Sequence, residues 1–225
     1  MSGRCQRRCI EIRRVSAQSR SMTTSWMTGL IATLGTISAG FGATRLETNA
    51  SVLVYDYADL PDGSLIEMES VSSLLLARAG IRIHWVHCLG HQAGPQPHIC
   101  GEDSDPAELI IRILRNHHGE RNALGEPLAS ASVDNAFASL YLSEVSKYAG
   151  RNGLSAGTLL AYAATHEIGH LLLGRNHMSS GILRAAWGKA EYREMAQLRL
   201  DFGPGERQSL RQALIGRSSL LAAQK

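Results

Sequence analysis

The chain has 225 residues, enough for one large domain or two small ones. With 44% apolar and 19% charged residues, a disordered or collagen-like chain is excluded. Aromatics at 5% argue against a stacking platform for single-stranded nucleic acid. The net charge of +3 is unevenly spread: Arg4, Arg7, Arg8, Arg13, Arg14 and Arg20 face only Glu11 before Met22, so the remainder is slightly acidic and a basic nucleic-acid surface is excluded as the main theme.

From Ser21 to Thr44 no residue is charged, and the stretch runs from Trp26-Met27 through Leu30-Ile31-Ala32 to the small residues Ala39-Gly40-Phe41-Gly42-Ala43. A basic start, an apolar middle and a small-residue end are the three parts of a secretory signal peptide, so residues 1–44 are expected to be a leader and the protein secreted or periplasmic. An uncleaved membrane anchor is the alternative, although the stretch is rich in Gly, Ser and Thr. A buried core helix is the other. Cys5 and Cys9 would leave with the leader. Cys88 and Cys100 remain, an even pair for which a disulfide is expected in an oxidising compartment. His84, His87, His91 and His98 crowd around them and suggest a metal site instead. However, strand alternation points His84 and His87 to opposite faces, so both cannot bind one ion.

Ser51–Tyr55 reads as a strand, and Ser64 as the cap of a helix to about Arg78, with Leu65, Met68, Val71 and Leu75 on one side and Gly80 as the stop. A second strand follows at 81–87, then a loop from Leu89 to Asp105. The apolar run 109–114 is a third strand, expected to be buried on both faces. His117-His118 lies in a polar loop and reads as solvated rather than chelating. Residues 129–133 and 136–142 around Asp134-Asn135 predict a hairpin. A helix from Ser155 to Leu173 ends at Gly174, and two more are expected around 188–199 and 204–222. No repeat or linker divides residues 45–225, which reads as a single α+β domain.

Within the helix at 155–173, His166-Glu167-Ile168-Gly169-His170 places two histidines four residues apart. Residues at that spacing stand one turn above each other, so both imidazoles can reach one Zn2+ ion. Glu167 is turned off that face but stays close enough to act as general base toward water activated by the metal, then to pass the proton to a leaving amine. A catalytic zinc needs a third protein ligand and an open position. Gly174 lets the chain turn back, and His177 follows three residues later. Glu191 and Glu194 are the alternatives.

The run from His166 to His177 resembles the elongated zinc motif of metzincin metallopeptidases. It is more similar to a group of exported bacterial proteins with HEIGHLLLG, then His, then Gly-Ile-Met-Arg and a Trp. Here the chain continues Gly181-Ile182-Leu183-Arg184 and Trp187. Val54-Tyr55-Asp56-Tyr57, Ala79-Gly80-Ile81, Trp85 and Cys88 also match that group. The likeness spans most of residues 50–200 and is strongest at the zinc motif. It departs in spacing: glycine and third histidine lie four and seven residues after His170, where metzincins usually have three and six. It departs again in Leu183, which stands where the family has the methionine that packs beneath the metal, with Met178 a less fitting candidate.

The resemblance implies a zincin-like fold: a small mixed sheet with a hairpin edge strand, an active-site helix and C-terminal helices. It implies His166, His170 and His177 as zinc ligands, Glu167 as base, and the strand at 136–142 as the edge on which an extended peptide or protein substrate pairs. The function it implies is an exported zinc-dependent endopeptidase. Nucleic acid is not an expected partner, and a membrane is one only if the leader stays uncleaved. The rival is a secreted zinc-containing binding or structural domain without proteolytic activity, against which the retained Glu167 argues. Zinc hydrolysis of a non-peptide amide is a third reading. Little chain separates leader and first strand, which leaves no room for a folded pro-domain. Activity is therefore expected to be limited by narrow specificity or by a partner.

Overall fold

A computed structural model describes residues 48–89, 100, 108–116, 123–128, 137–174 and 176–222. Strands β1 (Thr48–Asp56), β2 (Ile81–Leu89), β3 (Leu109–Leu114), β4 (Gly125–Leu128) and β5 (Phe137–Tyr141) form one five-stranded sheet in the order β2-β1-β3-β5-β4. The first four in that order run parallel, and β4 alone is antiparallel, to β5. Helix α1 (Asp62–Arg78) makes the crossover from β1 to β2. This is the expected mixed sheet.

Alternation along β1 sorts the two faces. Ala50, Val52 and Val54 enter the main core beneath the helices, while Leu53 meets Val86 and Ile110 in a smaller cluster on the opposite face. β3 is buried on both faces, as its unbroken apolar run predicts: Leu109, Ile111 and Ile113 face the main core and Ile110 the other. Helix α3 (Ala156–Leu173) packs against α1, which contributes Leu65, Met68, Val71, Leu75 and Leu76. The approach is close where Glu67 crosses the start of α3. Its Oε1 accepts from the hydroxyls of Ser155 at 2.5 Å and Thr158 at 2.6 Å, and Gly157 leaves no Cβ to collide with it. A carboxylate there also suits the positive end of the helix. Helices α4 (Lys189–Ala196) and α5 (Pro204–Ala222) complete the fold at the expected places. Arg211 of α5 donates to the Ala79 carbonyl at 2.6 Å, tying the C-terminal helix to the end of α1.

Four expectations need correction. Helix α1 starts behind Pro61 and not at Ser64, because buried Asp56 accepts from the Ala58 and Leu60 amides at 2.9 and 2.7 Å and tightens the preceding turn. The hairpin exists, but its first strand is β4 at 125–128 and not 129–133, which lies outside the described residues. Pro127 is what hides β4 in the sequence. The Tyr141 amide donates to the Leu124 carbonyl at 2.9 Å, so residues 124 and 126 bond inward and Pro127 turns its missing N–H outward, where a sheet edge tolerates it. Consequently the edge strand is β4, and β5, the expected edge at 136–142, lies inside the sheet between β3 and β4. Finally, helix α2 (Leu142–Asn152) was not expected. It buries Val145 and Ala149 and ends at Gly153, whose φ of 69° is left-handed.

Cys88 and Cys100 form the expected disulfide. The expected leader (1–44), His91, His98 and His117-His118 lie outside the described residues. Among the described residues, no helix is long and apolar enough to cross a membrane.

Candidate metal centre

Ser155 caps α3 by accepting from the Thr158 amide at 3.0 Å, which sets the register of everything that follows on the helix. Eleven residues on, His166 and His170 stand one above the other with their Nε2 atoms 2.9 Å apart. The Nδ1 of His166 lies 2.7 Å from the Ile182 carbonyl, and that of His170 lies 2.8 Å from the Gly174 carbonyl. A carbonyl can only accept, so both hydrogens sit on Nδ1 and both Nε2 atoms turn bare lone pairs toward one point.

Gly174 has two roles in this. Its amide closes the helix on the His170 carbonyl at 2.9 Å, and its φ of 83° with ψ of −176° is a conformation open in practice to glycine alone. The chain therefore leaves α3 abruptly and brings back His177, whose ring centroid lies 4.7 Å from that of His170 and 5.5 Å from that of His166. One nitrogen from each of the three histidines falls within 4.8 Å of the others. His170 is buried, His166 partly so, and His177 exposed, leaving an approach from solvent.

The donor set fits a metal. Lone pairs converging at 2.9 Å repel unless a cation stands between them, and Nδ1–H bonds to carbonyls are the usual outer support of a metal-binding imidazole. Burial, opposed by the bond to the Ile182 carbonyl and reinforced by His170 and His177, brings the His166 pKa down to about 4, so the ring is neutral at ordinary pH, as a ligand must be. Three imidazole nitrogens without a thiolate suit Zn2+, and also Cu, Fe or Ni ions.

Glu167 is 4% exposed and lies against β4. A Cβ on Gly125 would stand 2.8 Å from Glu167 Oε1 and 2.9 Å from its Cγ, so the edge strand has a glycine where the carboxylate passes. Leu183 is buried against Gly169, within the motif: a Cβ there would fall 2.6 Å from Leu183 Cδ2. Leu183 therefore packs beneath the helix at the His-Glu-x-x-His turn, and Met178, 39% exposed, does not.

The other candidates do not join this group. Glu191 is occupied at the head of α4, accepting from the Gly188 amide at 2.8 Å and pairing with Arg184, while Glu194 is exposed. His84 is exposed, and His87 bonds Glu69 of α1 through Nε2 at 2.5 Å. The disulfide removes both thiols from metal chemistry. Sequence reasoning missed Gly125 and the Ile182 carbonyl. Neither has a local signal: one is a close approach between distant elements, the other a main-chain atom.

Fold and site together define a mixed α/β protein with a candidate three-histidine metal centre. No family model matches the chain, and neither does any curated protein. Among solved structures it is similar to metalloproteinase-II from Bacteroides fragilis, at a TM-score of 0.48 and 9% identity. The similarity covers 75% of this chain and 54% of that one, so the chain spans about half the length of that structure.

Proposed function

We propose that the chain is an exported zinc-dependent endopeptidase, with His166, His170 and His177 as ligands and Glu167 as general base. The observation that carries this reading is the convergence of three imidazoles around the end of one helix, with Glu167 next to His166 in the same helical turn and buried. When bound, zinc supplies a Lewis acid that polarises a scissile carbonyl and acidifies water. Glu167 accepts the proton that water gives up in attacking, then delivers it to the departing amine. Its side chain is confined against Gly125 of β4, which limits how far it can move between the two steps.

The outer edge of β4 supports a substrate that lies extended along the site. At that edge Gly125 offers its N–H and carbonyl, and Pro127 offers a carbonyl only. Main-chain pairing of this kind places little demand on side chains. The Cys88–Cys100 disulfide supports export, because such bonds persist in oxidising compartments.

The test is metal content and peptide-library cleavage by the purified chain, beside Glu167→Gln and His177→Ala. The proposal expects one zinc per wild-type chain and cleavage that Glu167→Gln lowers roughly 10²- to 10⁴-fold while keeping the metal. His177→Ala is expected to lose or sharply weaken zinc binding. A wild-type chain that holds zinc but cleaves no peptide, with or without the leader, would be the noncatalytic binding domain instead.

A further inference from the structure

Helix α3 supplies both of its histidines but not the support for the first. His166 rests on the Ile182 carbonyl, in the segment between Met178 and Arg184 that closes under the helix. That carbonyl accepts a second bond, from the indole Nε1–H of Trp187 at 3.2 Å. The Trp187 ring also stands edge-on to His166, with centroids 5.4 Å apart and planes at 88°, and edge-on to buried Tyr162 at 6.5 Å and 79°. One side chain thus touches both the ring of a candidate ligand and the atom that orients it.

We propose that Trp187 is a positioning residue of the metal centre: its N–H and ring edge hold the Ile182 carbonyl and the His166 imidazole in the orientation that aims His166 Nε2 at the ion. The inference rests on the metal-site reading above. A carbonyl has two lone pairs, and with both engaged its direction is fixed by two donors from different parts of the chain. Among the described residues, the main-chain anchors of this segment act on other atoms. The Ile182 amide donates to the Asp201 carbonyl at 3.2 Å, and the Leu183 carbonyl accepts from the Met178 amide at 2.9 Å. The edge-on indole meanwhile walls one side of the imidazole, opposing a flip that would turn Nδ1–H away from its acceptor. Trp187 is only partly buried, so packing alone gives little reason for an indole over a phenyl ring.

The test compares the full chain with Trp187→Phe, which keeps a ring but removes the donor, and Trp187→Leu, which removes both. Co2+ is the probe, its affinity read by competition with a chelator and its geometry by its visible absorption bands. The His166 tautomer is read in the metal-free chain from long-range imidazole ¹H–¹⁵N correlations. Trp187→Phe is expected to weaken Co2+ about 10-fold and shift the bands, with a larger loss in Trp187→Leu. It is also expected to turn the single Nδ1–H form of His166 into a mixture, with little change in the urea midpoint. Wild-type affinity, bands and imidazole pattern in Trp187→Phe would overturn the proposal. So would a loss of affinity no larger than the loss of folding stability. A wild-type chain that binds no Co2+ would sink the metal-site reading, while the imidazole comparison would still decide whether Trp187 holds His166.

Discussion

A hydrogen atom in place of a methyl group decides how close β4 comes to the catalytic candidate. Gly125→Ala puts a Cβ 2.8 Å from Glu167 Oε1, and either the strand or the carboxylate must move. The expected result is a fall in peptide cleavage of about 100-fold, since misplacements near 1 Å cost that much, with zinc content unchanged. Parallel metal analysis and kinetics on the variant check it. His166 sets a second expectation at this scale, for the metal-free chain. Its pKa falls from 6.5 to about 4 on folding, chiefly through burial, so the unfolded chain binds the proton more readily. Stability is therefore full above the unfolded value and declines as pH drops from about 6.5 to 4, by about 3 kcal/mol at most, then levels off. Urea unfolding across that range should show the decline, and His166→Asn should flatten it. The candidate ligands His166 and His170 and the candidate base Glu167 were legible because helical spacing is local: the 3.6-residue period alone brings the two imidazoles together. Their supports, Gly125 and the Ile182 carbonyl, arrive from elsewhere in the fold, and no local pattern announces them.

At the scale of elements, the legible parts were those whose signals do not compete. Helix α3 has a serine cap, an apolar body and a glycine stop, and its bounds match the sequence reading within a residue. Helix α2 had comparable signals in Leu142, Val145, Ala149 and Gly153, but Leu142 also completes an apolar run with 136–141 and reads as the end of a strand. Strand β4 is obscured by Pro127, and which strand lies at the edge depends on long-range order that periodicity does not encode. The cap of α3 permits a clean separation of stability from site chemistry. Ser155→Ala removes the acceptor for the Thr158 amide and one hydroxyl donor to Glu67, at an expected cost of about 1 kcal/mol. His166 lies about 16 Å further along the helix by its rise per residue, so zinc affinity should not change. A lowered urea midpoint with an unaltered chelator titration is the expected pair of readings.

Across the whole molecule, the disulfide and the metal centre sit at opposite ends of the sheet order. Cys88 lies on β2, one edge, and packs with Leu53, Val86 and Ile110 on the face away from the main core. The histidines lie where α3 ends, and their neighbour Glu167 touches β4, the other edge. The bridge spans 12 residues, and closing a loop of that order in the unfolded chain stabilises the fold by about 2–4 kcal/mol. Tyr55 adds to the attachment, its hydroxyl donating to the Cys100 carbonyl at 2.9 Å. Replacing both cysteines with serine should therefore lower stability by about that amount, seen as a fall in the urea midpoint. Zinc stoichiometry and affinity should be retained, because the carbonyls that orient His166 and His170 belong to Ile182 and Gly174, away from β2 and Cys100. Loss of zinc at full stability would mean that the far edge of the sheet governs the site. Loss of both together, recovered at lower temperature where the variant is folded, would mean only that the disulfide keeps the scaffold intact.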